Sequence, residues 1–172
     1  MRPKFDFRSA DLPVLVAGIV ILTGVMAWFR VQAAEQTELV STRITLATLQ
    51  QALNQYESHF KRPPPLQGRK PALQQFLLDY QRAVYQRAFT YVNRTGQRVD
   101  QPDVLTFIRP GDAVRGTVHL PNGKSICGLV NVTDGFGRSI RYIPTQMISW
   151  RAPCFASVPP GTSRPSQWIY SR

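Results

Sequence analysis

Leu12 to Phe29, LPVLVAGIVILTGVMAWF, is a run of 18 residues without a charge. A helix of that length rises about 27 Å, close to the thickness of a bilayer's hydrocarbon core. No second run of this kind occurs in the sequence. The expectation is one N-terminal membrane helix, with Leu12 and Phe29 bounding the anchor and everything after it forming a body outside the lipid. Pro13 falls in the first turn, where its missing N–H breaks no intrahelical bond. Gly18 and Gly24 are six apart and make no GxxxG dimerisation pair.

Arg2, Lys4 and Arg8 precede the run, and Arg30, Glu35 and Glu38 follow it. The positive-inside rule keeps the short tail, residues 1–11, in the cytoplasm and exports the C-terminal part; the expected address is an inner (cytoplasmic) membrane with an extracytoplasmic or periplasmic body. A cleaved signal peptide is the competing reading, because Val31-Gln32-Ala33 resembles a small-residue cleavage site. The length of the apolar run and the charge of Arg30 argue for an anchor that stays.

Outward from the anchor the helical character continues. Leu39, Leu46, Leu49, Leu53, Tyr56 and Phe60 recur at helical spacing, with polar residues between them. No Pro or Gly interrupts residues 30–62, and Pro63-Pro64-Pro65 ends the pattern. One helix from about Leu12 to about Phe60 is expected, its second half packing through this stripe on the chain's own globular part, the alternative being a coiled-coil seam of only three heptads. A second helix is expected over Ala72 to Asn93, with an apolar face of Leu73, Phe76, Leu77, Tyr80, Val84 and Ala88 and a closing turn at Thr95-Gly96-Gln97.

Then the period changes. Val104 to Ile108 is a short strand candidate. Val114 to Leu120 and Ser125 to Val132 flank Pro121-Asn122-Gly123-Lys124, and Asn-Gly between β-rich runs signals a hairpin. Ser139 to Ile143 follows the turn Asp134-Gly135-Phe136-Gly137, and Met147 to Trp150 offers one more strand. From Ser157 onward Pro, Ser and Gly dominate, with Trp168 and Tyr170 placed to tuck the tail back. The fold class is therefore α+β: a long transmembrane-plus-soluble helix packed on a small antiparallel sheet, with an additional helix. The segments are 1–11 (tail), 12–29 (span), 30–62 (amphipathic continuation), 63–156 (globular) and 157–172 (C-terminal tail).

Net charge is +11, from 21 basic and 10 acidic residues. The excess concentrates between residues 61 and 98, where Lys61, Arg62, Arg69, Lys70, Arg82, Arg87, Arg94 and Arg98 face Asp79 alone among the acids. Such density attracts polyanions (nucleic acid, wall polymers, lipid headgroups) or remains a solvated face. Cys127 and Cys154, in an exported domain, are expected to pair as a disulfide worth about 3 kcal/mol, the alternative being two buried thiols. Neither cysteine has metal-site spacing, and His59 and His119 are far apart in sequence, so no metal is expected.

Catalytic signatures are missing. The sequence holds no GxSxG, Walker A, HExxH, GxGxxG or EF-hand pattern. Gly135-Phe136-Gly137 lies between strands and opens no helix, and the acids Asp100, Asp103, Asp112 and Asp134 are spread over loops rather than clustered for calcium. Asn93-Arg94-Thr95 and Asn131-Val132-Thr133 match glycosylation sequons, relevant only in a eukaryotic secretory route. No catalytic residue, small-molecule substrate or cofactor is expected.

The arrangement resembles the type IV pilin and type II secretion pseudopilin family. Leu46-Ala47-Thr48-Leu49-Gln50-Gln51-Ala52-Leu53-Asn54-Gln55-Tyr56, followed by Phe60 and Pro63, is similar to the end of the major pseudopilin's long helix. Asp134-Gly135-Phe136-Gly137-Arg138-Ser139-Ile140-Arg141-Tyr142 is similar to that family's Asp-Pro-Trp-Gly-x-Pro-Tyr-x-Tyr turn and strand. The resemblance covers about a third of the chain. It implies a single-pass, membrane-anchored structural protein of a secretion or pilus machine, acting through contacts with other envelope proteins or copies of itself. One departure stands out. Phe7-Arg8-Ser9-Ala10-Asp11-Leu12-Pro13 lacks the family's Gly-Phe processing junction, and no Glu lies in the span, so the acid that registers neighbouring subunits in the family has no counterpart.

Overall fold

The computed structural model describes residues 11–64, 72–120, 122–143, 153–162 and 164–171. The chain divides into two compact units, Met1–Thr37 and Glu38–Arg172. Helix α1 spans Asp11–Phe60, 50 residues without a break, close to the expected helix.

In the N-terminal unit the helix leaves its apolar side chains bare: Val14, Ile21 and Phe29 are 60–73% exposed. The helix includes a window long and apolar enough to cross a membrane, none of it buried within the protein. Thr23, mid-run, returns its hydroxyl to the carbonyls of Ile19 and Val20 at 2.9 Å each, so its one polar group is satisfied inside the helix. Trp28 and Phe29 meet edge to face at 5.1 Å, just before Arg30.

The second unit is built around residues 38–60 of α1. Leu46, Leu49, Leu53 and Tyr56 of the expected stripe are buried; Leu39 and Phe60, at its ends, are partly exposed. Helix α2 spans Ala72–Tyr85 and buries Leu73, Phe76, Leu77 and Tyr80. The two helices share one core with Phe89, Leu105, Leu129, Val132, Ile140 and Phe155.

Among the described residues, three small antiparallel sheets complete the unit. β1 (Thr90–Val92) pairs with β2 (Arg98–Asp100), β3 (Ala113–His119) with β4 (Ser125–Val132), and β5 (Arg141–Ile143), β6 (Cys154–Ser157) and β7 (Ile169–Tyr170) lie in that order. The class is α+β, as expected. The Asn122-Gly123 hairpin is present, with Gly123 at φ 79° supplying the left-handed residue and a bulge between Val114 and Arg115.

Several boundaries move. α2 ends at Tyr85 rather than Asn93, because Arg87 takes a left-handed φ of 51°. The amide of Arg87 then donates to Val84 O and that of Ala88 to Ala83 O, a Schellman closure without glycine. Thr95-Gly96-Gln97 accordingly closes the β1–β2 hairpin instead of ending a helix. Val104 to Ile108, expected as a strand, is a 3-10 turn over Val104–Phe107, capped by Asp103 through the amide of Leu105. Within the segment taken as a tail, Ile169–Tyr170 form β7, which pairs with β6, Ala156 lying opposite Tyr170. The compact unit begins at Glu38, inside the segment taken as helix continuation. Met147 to Trp150 lie outside the described residues.

Candidate functional site

Between residues 41 and 48, the buried side of α1 carries four hydroxyls around Leu46. Ser41, Thr42, Thr45 and Thr48 are all buried. Two aspartates meet this seam region. The Asp112 carboxylate accepts hydroxyl hydrogen bonds from Ser41 at 2.8 Å and Thr45 at 3.0 Å. Asp134 is 1% exposed. Its Oδ1 accepts the amides of Phe136 and Arg138, and its Oδ2 accepts the Ser157 hydroxyl. Asp134 thereby closes its own turn and ties that turn to β6. Gly135 brings the turn against α1: its amide donates to Thr42 Oγ1 at 3.0 Å, and a Cβ there would stand 2.2 Å from the carbonyl oxygen of Glu38. Both carboxylates have hydrogen-bond donors supplied by the fold, which makes burial tolerable.

A second lock joins α2 to β4. Gln81 accepts the Leu129 amide and donates to the Leu129 carbonyl, both at 2.7 Å, and also donates to Leu77 O. Gly128 leaves room for this amide; a Cβ there would meet Gln81 Oε1 at 2.3 Å. The C-terminus is held in a similar way. Ser171 donates its hydroxyl to Gln50 Oε1 at 2.6 Å, accepts the Phe155 amide, and returns its own amide to Phe155 O.

Burial shifts several ionisable groups. Desolvation raises the Asp103 carboxyl above its ordinary range, partly countered by its hydrogen bond from Leu105 N–H. Desolvation also raises Glu57. It pushes the Tyr142 phenol up to about 12, aided by the charges of Glu57 and Cys154. Tyr80, hydrogen-bonded to Gln55, is raised as well, again chiefly by burial.

No disulfide joins Cys127 to Cys154, which corrects the expected pairing. Cys127 is exposed on β4 opposite Thr117, whereas Cys154 is buried on β6 opposite Ile143. Each cysteine belongs to a different ladder. The histidines are separate too: His119 Nδ1 meets the Ser125 hydroxyl, and His59 packs edge to face on Phe60 and Phe89. Among the described residues no three His, Cys, Asp or Glu side chains gather in a way that suits a metal ion.

Arg82 is held by Asp79 at 3.7 Å and by the His119 carbonyl. Phe89 contacts Phe60 and His59 of α1 and Tyr80 of α2, so the C-terminal ends of both helices converge there. Lys61 and Arg62 leave one helix end, Arg87 leaves the other, and Arg94 and Arg98 belong to the adjoining hairpin. All five are exposed. Arg69 and Lys70 lie outside the described residues.

Two features escaped the sequence: the Ser/Thr seam, whose residue types read as a wet face, and the Gln81 lock, since a single Gln on an apolar helix face gives no signal. Comparison with protein-family models, curated proteins and solved structures finds no match.

Proposed function

We propose that this chain is a single-pass, membrane-anchored, pilin-like protein that works through protein–protein contacts in an envelope assembly of the secretion or pilus type. The observation that carries this reading is α1: one uninterrupted helix, bare and apolar at its start, whose later turns form the core of an α+β unit. The turn Asp134-Gly135-Phe136-Gly137, one of the two segments that resemble the family, supports it by docking on that helix through Gly135 and Thr42. In this reading the N-terminus is cytoplasmic and residues 30–172 are exported. The outward side of α1 presents Val40 and Ile44, 53% and 49% exposed, to a neighbouring subunit. The span lacks the family's registering acid, so the contact with a neighbour rests on these packing residues.

A photoreactive residue at position 40 or 44, in the full chain in its native membrane, tests the proposal. Adducts of discrete mass with a second copy, or with components of a secretion or pilus machine, are expected. Adducts to lipid alone at both positions would overturn the proposal.

A further inference from the structure

The convergence of the two helix ends on Phe89 collects charge that the sequence only scatters. Lys61 is the residue after α1, and it adopts φ 54° while its amide donates to Glu57 O. Arg87 plays the same part after α2. Left-handed C-caps normally call for Gly or Asn; here both positions carry a cation. A cation at a helix C-terminus offsets the partial negative charge of the last carbonyls. Beside these caps, Arg98 donates to Thr90 Oγ1 across the β1–β2 ladder, which holds its guanidinium on the hairpin. Among the described residues, only Arg87 of this group has a carboxylate partner, Asp100 at 3.8 Å, in an exposed pair of little strength. Lys61, Arg62, Arg94 and Arg98 are left to attract an external anion.

From this geometry we propose that the end of the unit formed by Lys61, Arg62, Arg87, Arg94 and Arg98 binds single-stranded nucleic acid through its phosphates. Three observations favour this ligand. Four of the five cations are arginines, whose planar fork suits phosphate oxygens. Tyr91, 48% exposed on the same hairpin, offers a ring on which a base can stack, a contact a lipid headgroup does not use. The patch also lies at the opposite end of the unit's α1 segment from Glu38, about 33 Å along the helix, where the chain enters from the apolar run. Recognition would be sequence-tolerant, since phosphate and stacking contacts carry little base information.

The test uses the full chain in neutral-lipid nanodiscs with a fluorescein-labelled 20-nucleotide oligo-dT, read by anisotropy. With four phosphate contacts, affinity falls about 50-fold between 50 and 200 mM salt. The triple variant Lys61→Asn, Arg62→Gln, Arg94→Gln abolishes most of the salt slope. Removing three cations elsewhere, by Arg109→Gln, Lys124→Gln and Arg138→Gln, leaves most of it, and melting curves establish that each variant is folded. Tyr91→Ala weakens oligo-dT binding about five-fold or more. The proposal is overturned if oligo-dT is not retained at 50 mM salt, or if the two variants lose equal affinity. It is also overturned if poly-glutamate or vesicles containing anionic lipid bind as tightly as oligo-dT with the same dependence on Lys61, Arg62 and Arg94.

Discussion

Replacing Gly135 with alanine tests the docking of the Asp134 turn on α1. The added Cβ would stand 2.2 Å from Glu38 O, 2.9 Å from Glu38 C and 3.0 Å from Glu38 Cα, all backbone atoms of a helix that cannot rotate away. The turn must retreat by about 1 Å before ordinary van der Waals contact is restored. That retreat stretches the Gly135–Thr42 hydrogen bond and pulls on Asp134, which is anchored to Ser157. Overpacking costs about 1–3 kcal/mol and the lost hydrogen bond about 1 kcal/mol. The sum, about 2–4 kcal/mol, lowers the melting temperature by roughly 10 °C for a unit of this size. Gly111→Ala is the control, since nothing lies within 4 Å of its Cβ position and no positive φ is involved; it should melt within about 2 °C of the parent. Thermal melts followed by circular dichroism in a fixed detergent read both. A Gly135→Ala variant that melts with the parent would refute the close approach of turn and helix.

Three further outcomes are expected. Gln81→Leu strands the amide and carbonyl of Leu129 and should cost about 2–4 kcal/mol in urea unfolding; a change under about 0.5 kcal/mol would contradict the α2–β4 lock. Asp103→Asn keeps the cap acceptor but removes a carboxyl whose folded pKa lies above its unfolded value of 3.8. The parent's contribution from this group is complete below that value and is lost as pH rises through the folded one. The variant should therefore gain on the parent as pH rises from 3 to 7, and a flat difference in urea midpoint would count against the assignment. Cys127, exposed on β4, should react with maleimide in the native protein without reductant; protection that only reductant lifts would restore the disulfide.

How much of this was legible in the sequence depended on the strength of each local signal. α1 was readable because an unbroken apolar run, with its one proline in the first turn, passes without Pro or Gly after Gly24 into a 3.6-residue period. The β3–β4 hairpin was readable because Asn122-Gly123 supplies its own turn chemistry. The end of α2 was not, because Arg87 adopts the left-handed cap that glycine usually marks. Val104 to Ile108 misled because five β-prone residues are too few to show a period that separates strand from 3-10 turn. Strands β6 and β7 were hidden by the Pro, Ser and Gly around them; their order comes from pairing across the fold and from Ser171. For the candidate site, the sequence held the charge of residues 61–98 but not its partition, since only the packing of Phe89 decides which cations share one end. The disulfide failed for a related reason: cysteine count says nothing about which ladder each residue joins.

Co-purification of the full chain from native membranes under mild detergent, with identification of what accompanies it, tests the central claim most directly. The expected result is an integral membrane protein that resists carbonate extraction and recovers with other components of a secretion or pilus machine, or with further copies of itself. Recovery in the soluble fraction, or as a monomer without companions, would contradict it.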